Sequence, residues 1–330
     1  MNNSTVNLAN RLRKKVFDSE NRMFLLSKIS NSIQSNDLST PCNCEGFGRI
    51  HHFHRQLDPT WISDPLPIDP ACHALGIADV DLIETQVFQL SACNVHCWYC
   101  FVPDTLKCAD EKLSKWFSAE DMVKLFLEDA GGARILDLSG GNPELAPEWI
   151  LDTMKALERL GKIDDIYLWS DDTLTTDFLF EMDKKDIQYM VSYSNYGKVG
   201  CFKGFDTNSF TFNSGLDEAM FDKQFIRFEK YIDLGFDMYG YVTLTCSDIE
   251  NIDERINKFA DKLQSIHPLL PLRTIPLKIF EFSPTKTRMN SEYQNALINQ
   301  EIAIVAWKRM LQDRFCESDL KKKIFELKMN

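Results

Sequence analysis

The sequence predicts an α/β protein built as a partial (β/α)6, TIM-like barrel, with an irregular N-terminal extension and a C-terminal helix. Three observations carry this. From residue 84 onward, short apolar runs alternate with helical periodicities, which implies parallel strands joined by right-handed crossovers. The alternation repeats six times, two units short of a closed barrel. The chain has 330 residues, 44% of them apolar, enough for a sizeable core. The expected division is 1–80 for the extension, 81–285 for the barrel and 286–330 for the C-terminal helical part.

Residues 1–40 are polar. Leu8, Leu12, Val16, Met23, Leu26 and Ile29 form a partial helical stripe, which predicts one helix over 7–30. Residues 31–40 read as a linker. In 41–80, Pro65, Pro67 and Pro70 argue against regular structure. The same segment holds Cys42, Cys44, His51, His52, His54, Cys72 and His73. Their spacing matches no closed four-ligand site. Zinc, an auxiliary iron–sulfur cluster, and a plain loop whose histidines line a surface or cleft all remain readings of it.

Residues 85–90 are the first barrel strand. Ser118 caps a helix with Glu120 and Asp121 at its positive end. That helix stops at Gly131-Gly132. Residues 133–138 are the second strand, leading into Ser139-Gly140-Gly141-Asn142-Pro143. Pro147 starts a helix with Trp149, Ile150, Met154, Leu157 and Leu160 inward, and Gly161 ends it. Residues 163–169 are the third strand and end in Ser170-Asp171-Asp172-Thr173. A short helix over 176–184 leads to a fourth strand over 187–193. Residues 194–215 would then be a loop long enough for a lid. Residues 217–234 are helical, 238–245 the fifth strand, 252–266 a helix and 274–282 the sixth strand. An amphipathic helix over 293–311 closes the chain.

Composition limits the function. A net charge of −12 and a pI near 5 argue against a broad nucleic-acid surface. No apolar run reaches membrane-helix length. Met1-Asn2-Asn3-Ser4 opens no signal peptide. Ten cysteines with no export signal suggest reduced thiols and metal ligation in the cytoplasm.

The chemistry is concentrated after the first strand, in Cys93-x3-Cys97-x2-Cys100. Three soft thiolates in one loop suit iron–sulfur clusters, zinc or copper(I). A zinc site would need His96 as a fourth ligand; buried thiols that bind nothing are the plain alternative. With Tyr99 just before the last cysteine, the motif resembles the signature of radical S-adenosylmethionine (SAM) enzymes. The resemblance covers about residues 84–282. It implies that Cys93, Cys97 and Cys100 hold a [4Fe-4S] cluster whose fourth iron is chelated by SAM, and that Tyr99 belongs to the cofactor site. Reduction would cleave SAM to a 5′-deoxyadenosyl radical that abstracts hydrogen from the substrate. The electron would come from a low-potential donor of flavodoxin or ferredoxin type.

Gly140-Gly141-Asn142-Pro143 is similar to the family's Gly-Gly-Glu-Pro motif, which contacts the SAM amino group. Asn142 stands where glutamate is usual and could accept the same bond without the charge. The resemblance also places Ser170, Asp171, Asp172, Ser192 and Ser194 at strand ends that hold the ribose and carboxylate of SAM; caps and loop polarity are their other reading. Val242 and Leu244 could pack the adenine or simply the core. Lys278 and Glu281 face the substrate or lie at the rim.

No second multi-cysteine run follows, and Cys201, Cys246 and Cys316 are scattered. This disfavours a multi-cluster peptide maturase. It leaves modification of a small molecule or peptide, activation of a glycyl-radical protein, or a non-catalytic zinc or iron–sulfur protein. The Gly140-Gly141 turn favours an enzyme, since a plain metal module has no use for a SAM pocket. Cys201, placed in the lid over the mouth, is a candidate hydrogen-atom donor, or else a packing residue.

Overall fold

The computed structural model describes residues 3–129 and 131–329. Helix α1 (Asn3–Val16) ends on Arg13, Lys14 and Lys15, favourable at the negative end of a helix. The helix expected over 7–30 stops there. Asp18 Oδ1 accepts from the amides of Glu20 and Asn21 at 3.0 and 3.2 Å, forming a turn between β1 (Phe17–Asp18) and β2 (Met23–Ser27). Phe24, Leu25 and Leu26 are consecutive and all buried, which a strand covered on both faces accommodates.

The segment expected to be irregular contains β3 (Gly48–His54) and α2 (Ile68–Ala74). Pro70 sits in the first turn of α2, where a missing N–H costs nothing. Then come β4 (Leu82–Phe88), β5 (Ser114–Ser118) and α3 (Ala119–Asp129). Ser118 Oγ accepts from Asp121 N at 3.1 Å, as a cap should. The chain continues through β6 (Ile135–Leu138), α4 (Glu148–Arg159), β7 (Tyr167–Asp172), α5 (Lys184–Ser192), β8 (Tyr196–Phe202), α6 (Thr207–Ser214) and α7 (Phe221–Leu234). It ends with β9 (Met238–Thr243), α8 (Ile252–Ile266), β10 (Thr274–Leu277), a single turn α9 (Ser283–Lys286) and α10 (Ser291–Arg314) before the tail.

The main sheet has the order β10-β9-β8-β7-β6-β4-β3. Its six parallel strands run in chain order, and β3 adds an antiparallel edge. This is the open, partial (β/α)6 barrel, enlarged by a strand from the N-terminal extension. The small sheet β1-β2-β5 is bonded to the chain just past β4, Ser27 N donating to Gln89 O and Ser91 N to Leu25 O, both at 2.9 Å. No described helix is long and apolar enough to cross a membrane.

Several boundaries differ from expectation. The fourth parallel strand is β8; residues expected to form it are helix α5. The apolar run there is too short to separate the two periods, and Ile187 and Met190 are buried at helical spacing. The long lid over 194–215 is therefore β8 and α6. Strand β7 starts at Tyr167 and includes Ser170, Asp171 and Asp172. Strand β10 ends at Leu277, so Lys278 lies beyond it, paired with Asp58 and Glu301 at 2.5 and 3.0 Å, and Glu281 is exposed.

Alternation divides the sheet into two faces. Leu136, Leu138, Leu168, Phe202 and Val242 face the helices, in one core with Trp149, Phe228 and Phe259. Ile135, Tyr167, Trp169, Val199, Tyr239, Tyr241 and Ile275 form the concave core, with Leu66, Ala71 and Ile324 packed on it.

Candidate active site at the strand carboxyl ends

The cysteine loop leaves β4 and is held by groups from across the fold. Asn142 N donates to Ala92 O at 2.7 Å, and Cys93 N to Lys107 O at 3.1 Å. Trp98 Nε1 donates to Asn213 Oδ1 at 3.0 Å, and its ring stacks on Tyr293 at 4.5 Å. The Tyr99 hydroxyl bonds Thr243 Oγ1 at 2.9 Å. Arg288 donates to the carbonyls of Cys100 and Val102 at 2.7 and 3.1 Å. A loop this tightly held presents its thiols in fixed positions.

Burial pushes the Cys93 thiol up to about 12, partly offset by Lys107, and the charges of Cys100 and Cys97 push it further. Burial likewise raises Cys97, against the pull of Lys203. The three thiols thus sense one another, and ionising them together needs a strong compensating cation, as a bound metal centre provides. Val95 N points at Cys93 Sγ at 3.4 Å, a donor that suits a thiolate. Among the described residues, no three His, Cys, Asp or Glu converge as ligands of one metal ion, and His96 is exposed. A single zinc requires all its ligands near 2.3 Å from one point. A multinuclear cluster takes one thiolate per iron and so suits cysteines spread along a loop. Cys108, unremarked in the sequence, is exposed and donates to Thr105 O at 3.4 Å.

The Gly-Gly turn lies against this loop. Gly140 and Gly141 have φ of +90° and +68°. A Cβ on Gly141 would come within 2.1 Å of Leu90 O. Asn142 is fully buried; its Nδ2 donates to Asn94 Oδ1 at 2.7 Å and its Oδ1 accepts from Glu144 N at 3.3 Å. Its side chain therefore braces the cysteine loop, and the half-exposed Gly140 and Gly141 present their backbone on the open side of the turn.

Other expected cofactor residues lie elsewhere. Ser170 is buried on the helix side, bonded to the Tyr196 hydroxyl at 2.8 Å. Asp172 Oδ1 accepts from Leu174 N at 2.6 Å, and Val242 is helix-side core. Ser192 ends α5, exposed, with Oγ on Tyr189 O at 2.9 Å; Ser194 is exposed too. A one-residue offset in a strand moves a side chain to the opposite face. The concave positions are Asp171, Cys201 and Thr243, as their register partners Val199, Tyr241 and Leu277 show. Cys201 is thus in β8, not in a lid.

Lys203 escaped the sequence reading. Burial disfavours its charge, but Cys201, Tyr99, Cys97 and Cys93 hold it protonated well above the usual lysine range. The alternation Val199, Cys201, Lys203 was the available signal. The N-terminal Cys and His do not converge. Cys44 Sγ meets Leu125 O at 3.7 Å, Cys72 is buried in α2, His52 Nε2 is 3.1 Å from Glu84, and His73 stacks on Phe325 at 4.1 Å.

No family model matches the chain, and no curated protein matches it. Among solved structures it is similar to Streptococcus suis SuiB bound to precursor peptide SuiA, with 14% identity over 53% of this chain and 36% of that one, at a TM-score of 0.38. SuiB bound to S-adenosylmethionine gives 15% identity over 53% and 37%, at 0.38. The protein anSMEcpe with bound AdoMet and Cp18Cys peptide gives 20% identity over 53% and 45%, at 0.37. The chain spans less than half the length of each.

Proposed function

We propose that this protein is a radical SAM enzyme acting on a small molecule or peptide. The observation that carries the reading is the Cys93, Cys97, Cys100 loop after the first parallel strand, packed against the Gly140-Gly141 turn of the second. Cys93, Cys97 and Cys100 would hold a [4Fe-4S] cluster, which with bound SAM and an electron from a flavodoxin- or ferredoxin-type donor supplies reductive cleavage to a 5′-deoxyadenosyl radical. The residues around it bind and orient. The exposed backbone of Gly140 and Gly141 offers acceptors to the SAM ammonium. Lys203, facing the thiols, offers its cation to the SAM carboxylate. Anaerobically reconstituted protein, reduced with SAM, is expected to release 5′-deoxyadenosine and methionine. Absence of both products from protein with a full cluster sinks the reading.

Gly141→Ala is expected to weaken SAM binding and destabilise the turn. The substitution puts a side chain at φ +68°, a strain on the order of 1–3 kcal/mol, and a Cβ 2.1 Å from Leu90 O, a clash that only a shift of the turn relieves. Equilibrium dialysis with SAM and a urea melt would measure it; a variant equal to wild type in both would show that the turn is not tightly set.

Cys201 is a candidate hydrogen-atom donor on the concave side of β8, where its neighbours include Asp171 and Cys97. A thiol hydrogen exchanges with solvent, so turnover in deuterated water is expected to label the product in wild type. Cys201→Ala is expected to lose turnover or label. An unchanged labelled product from the variant assigns the thiol to packing.

A further inference from the structure

The concave face carries charges that the cofactor reading leaves unused. Arg49 in β3 and Asp137 in β6 share one register row, with Val87 of β4 between them. Asp171 stands on β7, where Ser139 Oγ donates to its Oδ2 at 2.6 Å. Arg49 is 7% exposed and Asp137 2%. Even so, Arg49 Nε and Asp137 Oδ1 have no hydrogen-bond partner. The remaining guanidinium contacts are with His51, at 3.2 Å from Nη1 to Nδ1, and the Phe101 ring, 5.0 Å away. Burial lowers His51 to about 3, so it stays neutral and accepts. Asp171, His51, Phe101 and Ser139 are half-buried, so the recess reaches solvent.

Arg49 and Asp137 act on each other electrostatically, yet no ion-pair contact joins them among the described residues. Folded proteins leave few buried polar atoms unpaired. Here an unpartnered guanidinium donor and an unpartnered carboxyl oxygen lie on one side of the sheet. Burial and the neighbouring Asp171 push Asp137 well above the usual carboxylate range, so it keeps a proton until a cation arrives to share the pair. Two neighbouring carboxylates call for a cationic donor. Arg49 Nε calls for a carbonyl or carboxylate oxygen. An α-aminoacyl group carries both within two bonds.

We propose that this recess binds the α-aminoacyl group of the substrate, its ammonium at Asp137 and Asp171 and its carbonyl or carboxylate oxygen on Arg49. The inference rests on the radical SAM reading for what then happens to that substrate. The group has two sources, a free amino acid or the N-terminus of a peptide.

The test uses the full chain, reconstituted and saturated with SAM, in equilibrium dialysis read by mass spectrometry. The probes are the standard amino acids and a random pentapeptide library with free N-termini, each beside its N-acetylated counterpart. Wild type is expected to retain members of one free-amine pool roughly tenfold or more over their acetylated forms; the pool that responds names the source. Asp137→Asn and Asp171→Asn are expected to lose that preference, and Arg49→Gln to weaken retention. No preference in either pool overturns the proposal. So does a preference undiminished in both aspartate variants. Asp171 is half-buried, so its variant serves if Asp137→Asn does not fold. 5′-Deoxyadenosine release is measured on the same wild-type sample: its absence alongside an intact preference sinks the radical SAM reading alone, and its presence without preference sinks this inference alone.

Discussion

Replacing Cys93, Cys97 and Cys100 together with Ala is expected to remove the cluster absorbance and reduce SAM cleavage to background. Three of the irons would each lose their protein ligand, and the nearby thiol of Cys201 could replace at most one of them. His96 is exposed and Cys108 is engaged with Thr105 O. The loop itself is expected to persist, because Trp98, Tyr99 and Arg288 hold it through groups other than sulfur. Circular dichroism should therefore match wild type while iron and sulfide content fall. Full SAM cleavage by the triple variant would end the assignment. Metal retained by that variant would point to Cys42, Cys44 or Cys72 in the N-terminal extension.

Lys198→Met is expected to destabilise the fold by about 3–5 kcal/mol, the cost of leaving a buried charge unpaired. Lys198 and Glu144 form an ion pair at 0% and 1% side-chain exposure. The Tyr231 hydroxyl donates to Glu144 Oε2 at 3.0 Å, and Asp172 Oδ2 lies 3.9 Å from Lys198 Nζ. This network sits on the helix side of β8 and ties that strand to the segment just after Asn142. It thereby sets the strand bearing Cys201 and Lys203 against the Gly-Gly turn. Loss of Lys198 leaves Glu144 and Asp172 facing each other in a dry core. The double change Lys198→Met with Glu144→Leu removes the strongest mismatch and is expected to recover much of the loss. Urea denaturation would separate the three proteins. A single-variant cost under about 1 kcal/mol would mean that water reaches the pair.

The elements legible in the sequence are those whose cause is local. Helix α8 has its apolar stripe, α3 its serine cap and glycine stop, and the cysteine and Gly-Gly motifs are short spacings that no distant residue alters. Strand β8 was illegible because its composition suits a strand only in this setting. A Cβ on Gly197 would come within 2.3 Å of the Tyr167 hydroxyl, and one on Gly200 within 2.8 Å of the Phe228 ring. Lys198 can be buried there only because Glu144 meets it from another unit.

The residue chemistry, the cysteine and Gly-Gly spacings and the strand–helix alternation were thus determined by the sequence itself, through interactions a few residues long. The tertiary structure decided which side of each strand faces the recess. It turned Asp171 inward and its neighbours Ser170 and Asp172 outward, brought Lys203 to the thiols, and set Arg49 from the N-terminal extension in one row with Asp137. The physical reason is register: side chains alternate with period two, so one residue of uncertainty in a strand boundary exchanges the faces, and only pairing with the next strand removes it.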